Sequence, residues 1–88
     1  MYKVKYHKRV VKFLETQPDK VRRRIIEVFD VVKRDPFANL KNFDIKPLKG
    51  FENFYRLRIG KFRIIFKIDK SELLILVISA ASRGDIYK

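Results

Sequence analysis

Between Lys46 and Lys67 the chain carries seven bases, Lys46, Lys49, Arg56, Arg58, Lys61, Arg63 and Lys67, against one acid, Glu52. That segment alone holds a formal +6. Three of the seven are arginines, whose planar fork of N–H donors fits a phosphate and whose charge persists at any ordinary pH. Such residues hold anions and stabilise developing negative charge; they are poor carriers of protons. Aromatic residues are interleaved with them and offer flat surfaces for stacked bases. A folate or sugar-phosphate site would use the same residues, so the pattern specifies phosphate better than it specifies RNA. The competing reading is a solvated sheet face in a protein rich in lysine and arginine.

The spacing around Gly60 decides which of these side chains meet. Phe54–Ile59 and Phe62–Ile68 both alternate at a period of two, the mark of strands with unlike faces. Gly60-Lys61 fits a two-residue hairpin with glycine at the first turn position. In that register Ile59 pairs with Phe62, Arg58 with Arg63, Leu57 with Ile64 and Arg56 with Ile65. Directly opposed residues share a face. One face then shows Tyr55, Leu57, Ile59, Phe62, Ile64 and Phe66 and belongs under other elements. The second shows Arg56, Arg58, Arg63 and Lys67, with Phe54 and Ile65 among them. Like charges directly opposed destabilise a sheet. Arg58 against Arg63 is therefore a cost that stability alone does not explain.

The rest of the chain supplies the support. Tyr2–Tyr6 alternates aromatic or apolar with lysine and reads as a short strand. Val10, Phe13 and Leu14 fall at helical spacing, giving an amphipathic helix from Lys8 to about Thr16. Pro18 and Asp19 suit the first turn of a second helix. Val21, Ile25, Val28 and Val32 form its core stripe, widened by Ile26 and Phe29, and it should end near Arg34, before Asp35-Pro36. Pro36–Phe43 reads as a loop and Asp69-Lys70-Ser71 as a turn. Leu73–Ser79 is nearly continuous in apolar residues, which predicts a strand covered on both faces. The order β-α-α-β-β-β describes an α+β fold, an N-terminal helical hairpin packed on a small antiparallel β-sheet. The partner of the first strand is left open.

Composition bounds the rest. Eighty-eight residues make one domain, 1–88. The balance of 22 Lys+Arg and 10 Asp+Glu gives a formal +12, which points to polyanionic partners. A hydrophobic share of 47% separates the chain from disordered basic tails. Cysteine is absent and histidine occurs once, so disulfide staples, thiol chemistry and a multi-histidine metal site are excluded, and no metal or cofactor is expected. The longest apolar run, Leu73–Ile78, is far too short to span a bilayer, and MYKVKYHKR lacks the apolar core of a signal peptide. The expectation is a cytoplasmic protein with no membrane partner.

Leu48-Lys49-Gly50, then YRLRIGKFRIIF at 55–66, then VISAASRGDIY at 77–87, all following a helical hairpin, resemble the RelE toxins of type II toxin–antitoxin pairs. The resemblance covers nearly the whole chain, and the 55–66 block is shared by the wider RelE/ParE superfamily. It implies a RelE-like α+β fold and a ribosome-dependent mRNA endonuclease, an mRNA interferase that enters the ribosomal A site. There the 2′-hydroxyl of the message attacks the adjacent phosphate and the 5′-oxygen leaves, so translation is inhibited. By position, Arg56, Arg58, Arg63, Arg83 and Tyr87 would be the catalytic set. Lys49 matches a basic residue before the first hairpin strand, and Lys46, Lys61 and Lys67 join it as RNA- and phosphate-binding candidates. Arg63 and Arg83 would stabilise the phosphorane oxygens. Arg56 and Arg58 would hold phosphates. Tyr87 would stack on a base, bind a phosphate or transfer a proton. One of the two basic positions filled by Arg56 and Arg58 is a lysine in related toxins, so the general base is left unassigned. The implied partners are a cognate RelB-like antitoxin, the ribosome and mRNA. The alternative within the superfamily is a ParE-like inhibitor of DNA gyrase without nuclease activity, and outside it an RNA-binding module without toxicity.

Other chemically capable residues have plainer readings. His7 stands at the first strand-to-helix junction, where a surface or capping role is expected. Glu52 is expected to form a salt bridge, and Asp85 to balance Arg83 or cap the tail. Arg22, Arg23 and Arg24 spread around a helix, to be solvated or to touch RNA or an acidic antitoxin segment.

Overall fold

The computed structural model describes residues 1–82. Strand β1 (Lys3–Tyr6) leads into helices α1 (Lys8–Glu15) and α2 (Asp19–Val32). A short helix α3 (Pro36–Asn39) and a 3-10 turn (Leu40–Asn42) follow. Then come β2 (Ile45–Pro47), β3 (Phe54–Ile59), β4 (Phe62–Asp69) and β5 (Leu74–Ser82). The sheet order is β1-β5-β4-β3-β2. From β2 to β5 all neighbours are antiparallel, while β1 joins β5 in parallel, Val4 beside Ile75 and Tyr6 beside Val77. The two-helix crossover between β1 and the remaining strands is what permits that parallel edge.

Local chemistry explains the helix boundaries. His7 caps α1, its Nδ1 accepting the Arg9 backbone N–H at 3.1 Å, which satisfies one of the orphan donors of the first turn. Pro18 stands at the N-cap of α2 and Asp19 opens its first turn. Asp35 caps α3 by accepting the Ala38 N–H at 3.3 Å, with Pro36 inside the first turn. The stretch expected as loop, Pro36–Phe43, is thus largely helical. The short strand β2 was likewise not foreseen.

The core lies between the helices and one sheet face. Val10 and Leu14 from α1 and Ile25, Val28, Phe29 and Val32 from α2 meet Leu57, Ile64, Phe66, Ile68, Ile75 and Val77. Phe29 packs edge-to-face on Phe66 and on Tyr6, with centroids 5.2 and 6.1 Å apart. Burial, and then the nearby Asp30 charge, push the Tyr6 phenol up to about 12. The predicted α2 stripe holds, except that Ile26 is exposed.

The β3–β4 hairpin has the predicted register, with Arg58 opposite Arg63 and Arg56 opposite Ile65. Gly60 takes φ +54° while Lys61 stays out of the left-handed region, the pattern of a type II′ turn. Strand β5 runs on to Ser82 and is not covered on both faces as expected. Ile75 and Val77 are fully buried, but Leu74 and Leu76 are half-buried and stand outside the core. A register shift opposite Ile65/Phe66 leaves Ile78 without a partner in the ladder. It reverses the alternation of β5 and sets small residues, Ser79 and Ala81, beside Ile65 and Arg63.

Candidate nucleic-acid interface

Three strands deliver the basic side chains to the sheet face turned away from the helices. In one row across the sheet Lys46, Arg56, Ile65 and Ser79 are neighbours; in the next, Arg58, Arg63 and Ala81. Lys67 faces Phe54 one row further. Two like-charge pairs, Arg58–Arg63 and Lys46–Arg56, are therefore directly opposed. Ala81 beside Arg63 leaves that end of the face low, because no long side chain rises from β5 there. A concavity of about 320 Å³ opens at the hairpin end, lined by Arg58, Gly60, Lys61 and Arg63.

An acid that the sequence pattern does not single out anchors this cluster. Asp44 lies just before β2, and its carbonyl accepts the Arg58 backbone N–H at 2.9 Å. Its carboxylate spans both β3 arginines: Oδ2 accepts from Arg58 Nε at 2.9 Å and Oδ1 from Arg56 Nη2 at 3.1 Å. The hydrogen bond from Arg58, with attraction from Arg58, Arg56 and Lys46, holds the Asp44 carboxyl below the usual carboxylate range. Arg56 is the more sheltered of the two arginines, its side chain 17% exposed against 45% for Arg58. The Arg56 Nε is buried without a hydrogen-bond partner among the described residues. The site is thus a partly neutralised guanidinium cluster able to take oxyanions on donors that Asp44 leaves open.

The other candidates are distributed as follows. Lys67 Nζ lies 5.7 Å from the Phe54 ring centre and Lys61 Nζ 5.5 Å from that of Phe62. Phe62 itself points into the core, 7% exposed. Lys49 is exposed in the β2–β3 connection, and no described contact ties it to the arginines. Arg83 and Tyr87, with Asp85, lie outside the described residues. Glu52 is exposed and makes no ion pair among the described residues, so the salt bridge expected of it is absent there. His7 acts as the helix cap expected. Arg22 and Arg23 pair with Asp19 on their own helix, which leaves them away from the arginine face. No group of three or more potential metal ligands occurs among the described residues, and no helix there is long and apolar enough to cross a membrane.

A helical hairpin over one face of a five-stranded sheet, with guanidiniums gathered on the other, defines a small α+β protein with a basic sheet face turned away from its core. The family model for the ParE toxin of the type II toxin–antitoxin system parDE matches residues 4–87. A putative toxin RelE1 of Methanocaldococcus jannaschii is 36% identical over 87 residues, covering 99% of this chain and 96% of the relative. Toxin RelE3 of the same organism is 32% identical over 72 residues, 82% of each chain. Among solved structures, the archaeal RelE–RelB complex from Pyrococcus horikoshii superposes with a TM-score of 0.82 at 33% identity, over 94% of this chain and 96% of the other. The isolated Escherichia coli RelE toxin shares the fold, with a TM-score of 0.77 at 18% identity over 99% and 92% of the two chains. The chain belongs to the RelE/ParE superfamily of type II toxin–antitoxin toxins, and its curated relatives are RelE toxins.

Proposed function

We propose that this toxin is a ribosome-dependent mRNA endonuclease acting in the cytoplasm, where it cleaves the message in the ribosomal A site and is held in check by a cognate RelB-like antitoxin. The observation that carries the reading is the row of Arg58 and Arg63, opposed across the hairpin at a cost to the sheet and beside Arg56. Relatives in the same superfamily bear the RelE name, and the Pyrococcus horikoshii relative was crystallised with RelB.

In this mechanism the arginine face binds the scissile and flanking phosphates. The message 2′-hydroxyl attacks the adjacent phosphorus while its O–H bond breaks; the bond from phosphorus to the 5′-oxygen then breaks, and a proton goes to that oxygen. Products are a 2′,3′-cyclic phosphate and a 5′-hydroxyl. Arg63, with Arg83 from the C-terminal segment, neutralises the extra charge on the phosphorane oxygens. Arg56 and Arg58 hold neighbouring phosphates, and Lys46, Lys49, Lys61 and Lys67 extend the electrostatic track. Arginine is too weak an acid to relay protons, so Tyr87 or a ribosomal group supplies that step.

The test is translation in a cell-free extract with primer extension on the message. Toxin should halt synthesis and produce 5′ ends within the A-site codon. A halt with intact message would refute the nuclease reading.

A further inference from the structure

Between β2 and β3 the chain makes a tight turn that sets an aromatic ring outside the core. Gly50 takes φ +80° and Asn53 φ +66°. The turn is pinned by three backbone hydrogen bonds: Phe51 N–H to Leu48 O, Leu48 N–H to Phe54 O, and Ile68 N–H to Asn53 O, at 3.4, 2.9 and 3.0 Å. Its product is Phe51, 62% exposed, with its ring edge-to-face on Phe54, centroids 5.9 Å apart at 62°. Neither ring belongs to the core cluster. A fixed loop that holds a large apolar ring in water gains little burial for doing so.

The neighbours of the pair are cationic. Lys67 Nζ stands near the Phe54 ring, and Phe54 lies opposite Lys67 in the ladder. Arg56 is two residues along β3 on the same face, about 6.6 Å away by strand rise. Lys46 faces Arg56 from β2. The one acid in the turn, Glu52, is exposed and pairs with none of these.

We propose that Phe51 and Phe54 form a stacking platform for a nucleobase of single-stranded RNA whose phosphates run onto Arg56, Arg58 and Arg63. The inference rests on the arginine face being the phosphate site, and adds the strand's direction away from the hairpin turn. The geometry matches the chemistry of single-strand binding, in which a cationic groove tracks the backbone and aromatic faces take the bases without strict sequence preference. The nearby ammonium of Lys67 reinforces the site, since it attracts both the ring face and the adjoining phosphate.

The chain contains no tryptophan, so Phe51→Trp introduces a single indole at the platform. Titrating that variant at low salt with a short single-stranded RNA should quench its emission, whereas an abasic RNA of equal length should bind with little quenching. Phe51→Ala should bind the base-bearing RNA about 5- to 100-fold more weakly and the abasic RNA as the parent does. Base-bearing RNA bound by Phe51→Ala as tightly as by the parent, with no quenching in Phe51→Trp, would overturn the platform and leave the arginine site standing. If neither RNA binds the parent, both the platform and the phosphate site are refuted. Unchanged RNA affinity alongside loss of affinity for a RelB-like antitoxin would make Phe51 a protein contact and likewise overturn the proposal.

Discussion

Replacing Asp44 with asparagine tests whether the arginine face takes phosphates. The change removes one negative charge but keeps an amide oxygen that can still accept from Arg58 or Arg56, so the local geometry has a near-isosteric substitute. The face carries Lys46, Arg56, Arg58, Arg63 and Lys67, and Asp44 sits directly on two of these. One carboxylate against five cations leaves an effective phosphate count of about four, and for a single-stranded RNA the slope of log affinity against log salt is then about −2.8. Raising salt from 50 to 200 mM should weaken binding by about 50-fold in the parent. In Asp44→Asn the effective count rises to about five, the slope steepens to about −3.5, and the same change in salt costs about 130-fold.

The assay is anisotropy of a labelled short RNA over a salt series, with circular dichroism confirming that the variant is folded. Affinity at the lowest salt should rise in the variant. Because Arg58 holds the Asp44 carboxyl below its usual range, the acid is fully charged near neutrality, and the parent slope should be the same at pH 6 and pH 8. An unchanged or shallower slope in a folded Asp44→Asn protein would refute the reasoning, since it would mean that RNA does not meet the guanidiniums Asp44 covers.

Arg63→Ala should lower A-site cleavage on the order of 10²-fold or more, measured by primer extension, if Arg63 meets the phosphorane oxygens. Phe66→Ala should cost about 3–5 kcal/mol in urea unfolding, because Phe66 is fully buried between Phe29 and a stacked Tyr55; a chain of this length has roughly 4–13 kcal/mol in total. Tyr6, held at about 12 in the fold and near 10 when unfolded, binds its proton more tightly in the native state, so its contribution is intact below pH 10 and is lost as pH rises from 10 to 12; Tyr6→Phe should flatten that alkaline decline in urea midpoint. Gly60→Ala should cost roughly 1–2 kcal/mol through its positive φ alone, since a Cβ there meets no atom within 4 Å, and a smaller loss by urea unfolding would mean that the turn relaxes.

The readable part of this chain is the part whose determinants are local. Gly60 between two alternating runs is sufficient to set the hairpin register, and hence to oppose Arg58 and Arg63. The stripe Ile25, Val28, Val32 declares α2 for the same reason. Short elements give no signal where the sequence offers no period: Ile45–Pro47 is three residues ending in proline, too short to show alternation, although proline is tolerated on an edge strand. Strand β5 reads as buried on both sides because Leu74 and Leu76 are as apolar as Ile75 and Val77, but the helices cover the face of Ile75 and Val77, and Leu74 and Leu76 stand outside the core. Asp44 was missed because its partners are 12 and 14 residues away and reach it only through β2. Arg83 and Tyr87 rest on the family resemblance alone.

The charge of the site and the edge of the sheet are one structural unit. Strand β2 has three residues paired with β3, too few for a self-sustaining strand, and its last residue lacks an N–H. Beyond that ladder the segment is fastened by the Leu48 N–H to Phe54 O bond, by Ile45 packing on the core, and by Asp44, whose carbonyl takes the Arg58 N–H and whose carboxylate takes both side chains. The two carboxylate contacts also offset part of the repulsion that Lys46, Arg56, Arg58 and Arg63 impose on one another across the strands. Detaching β2 would therefore expose the β3 edge and release two guanidiniums together, while keeping it docked holds the arginines in place at the expense of one unit of their charge. On the proposed phosphate reading, fixed geometry with reduced charge would favour a ligand that brings several phosphates in register over a single free anion, the discrimination a nucleic-acid site requires.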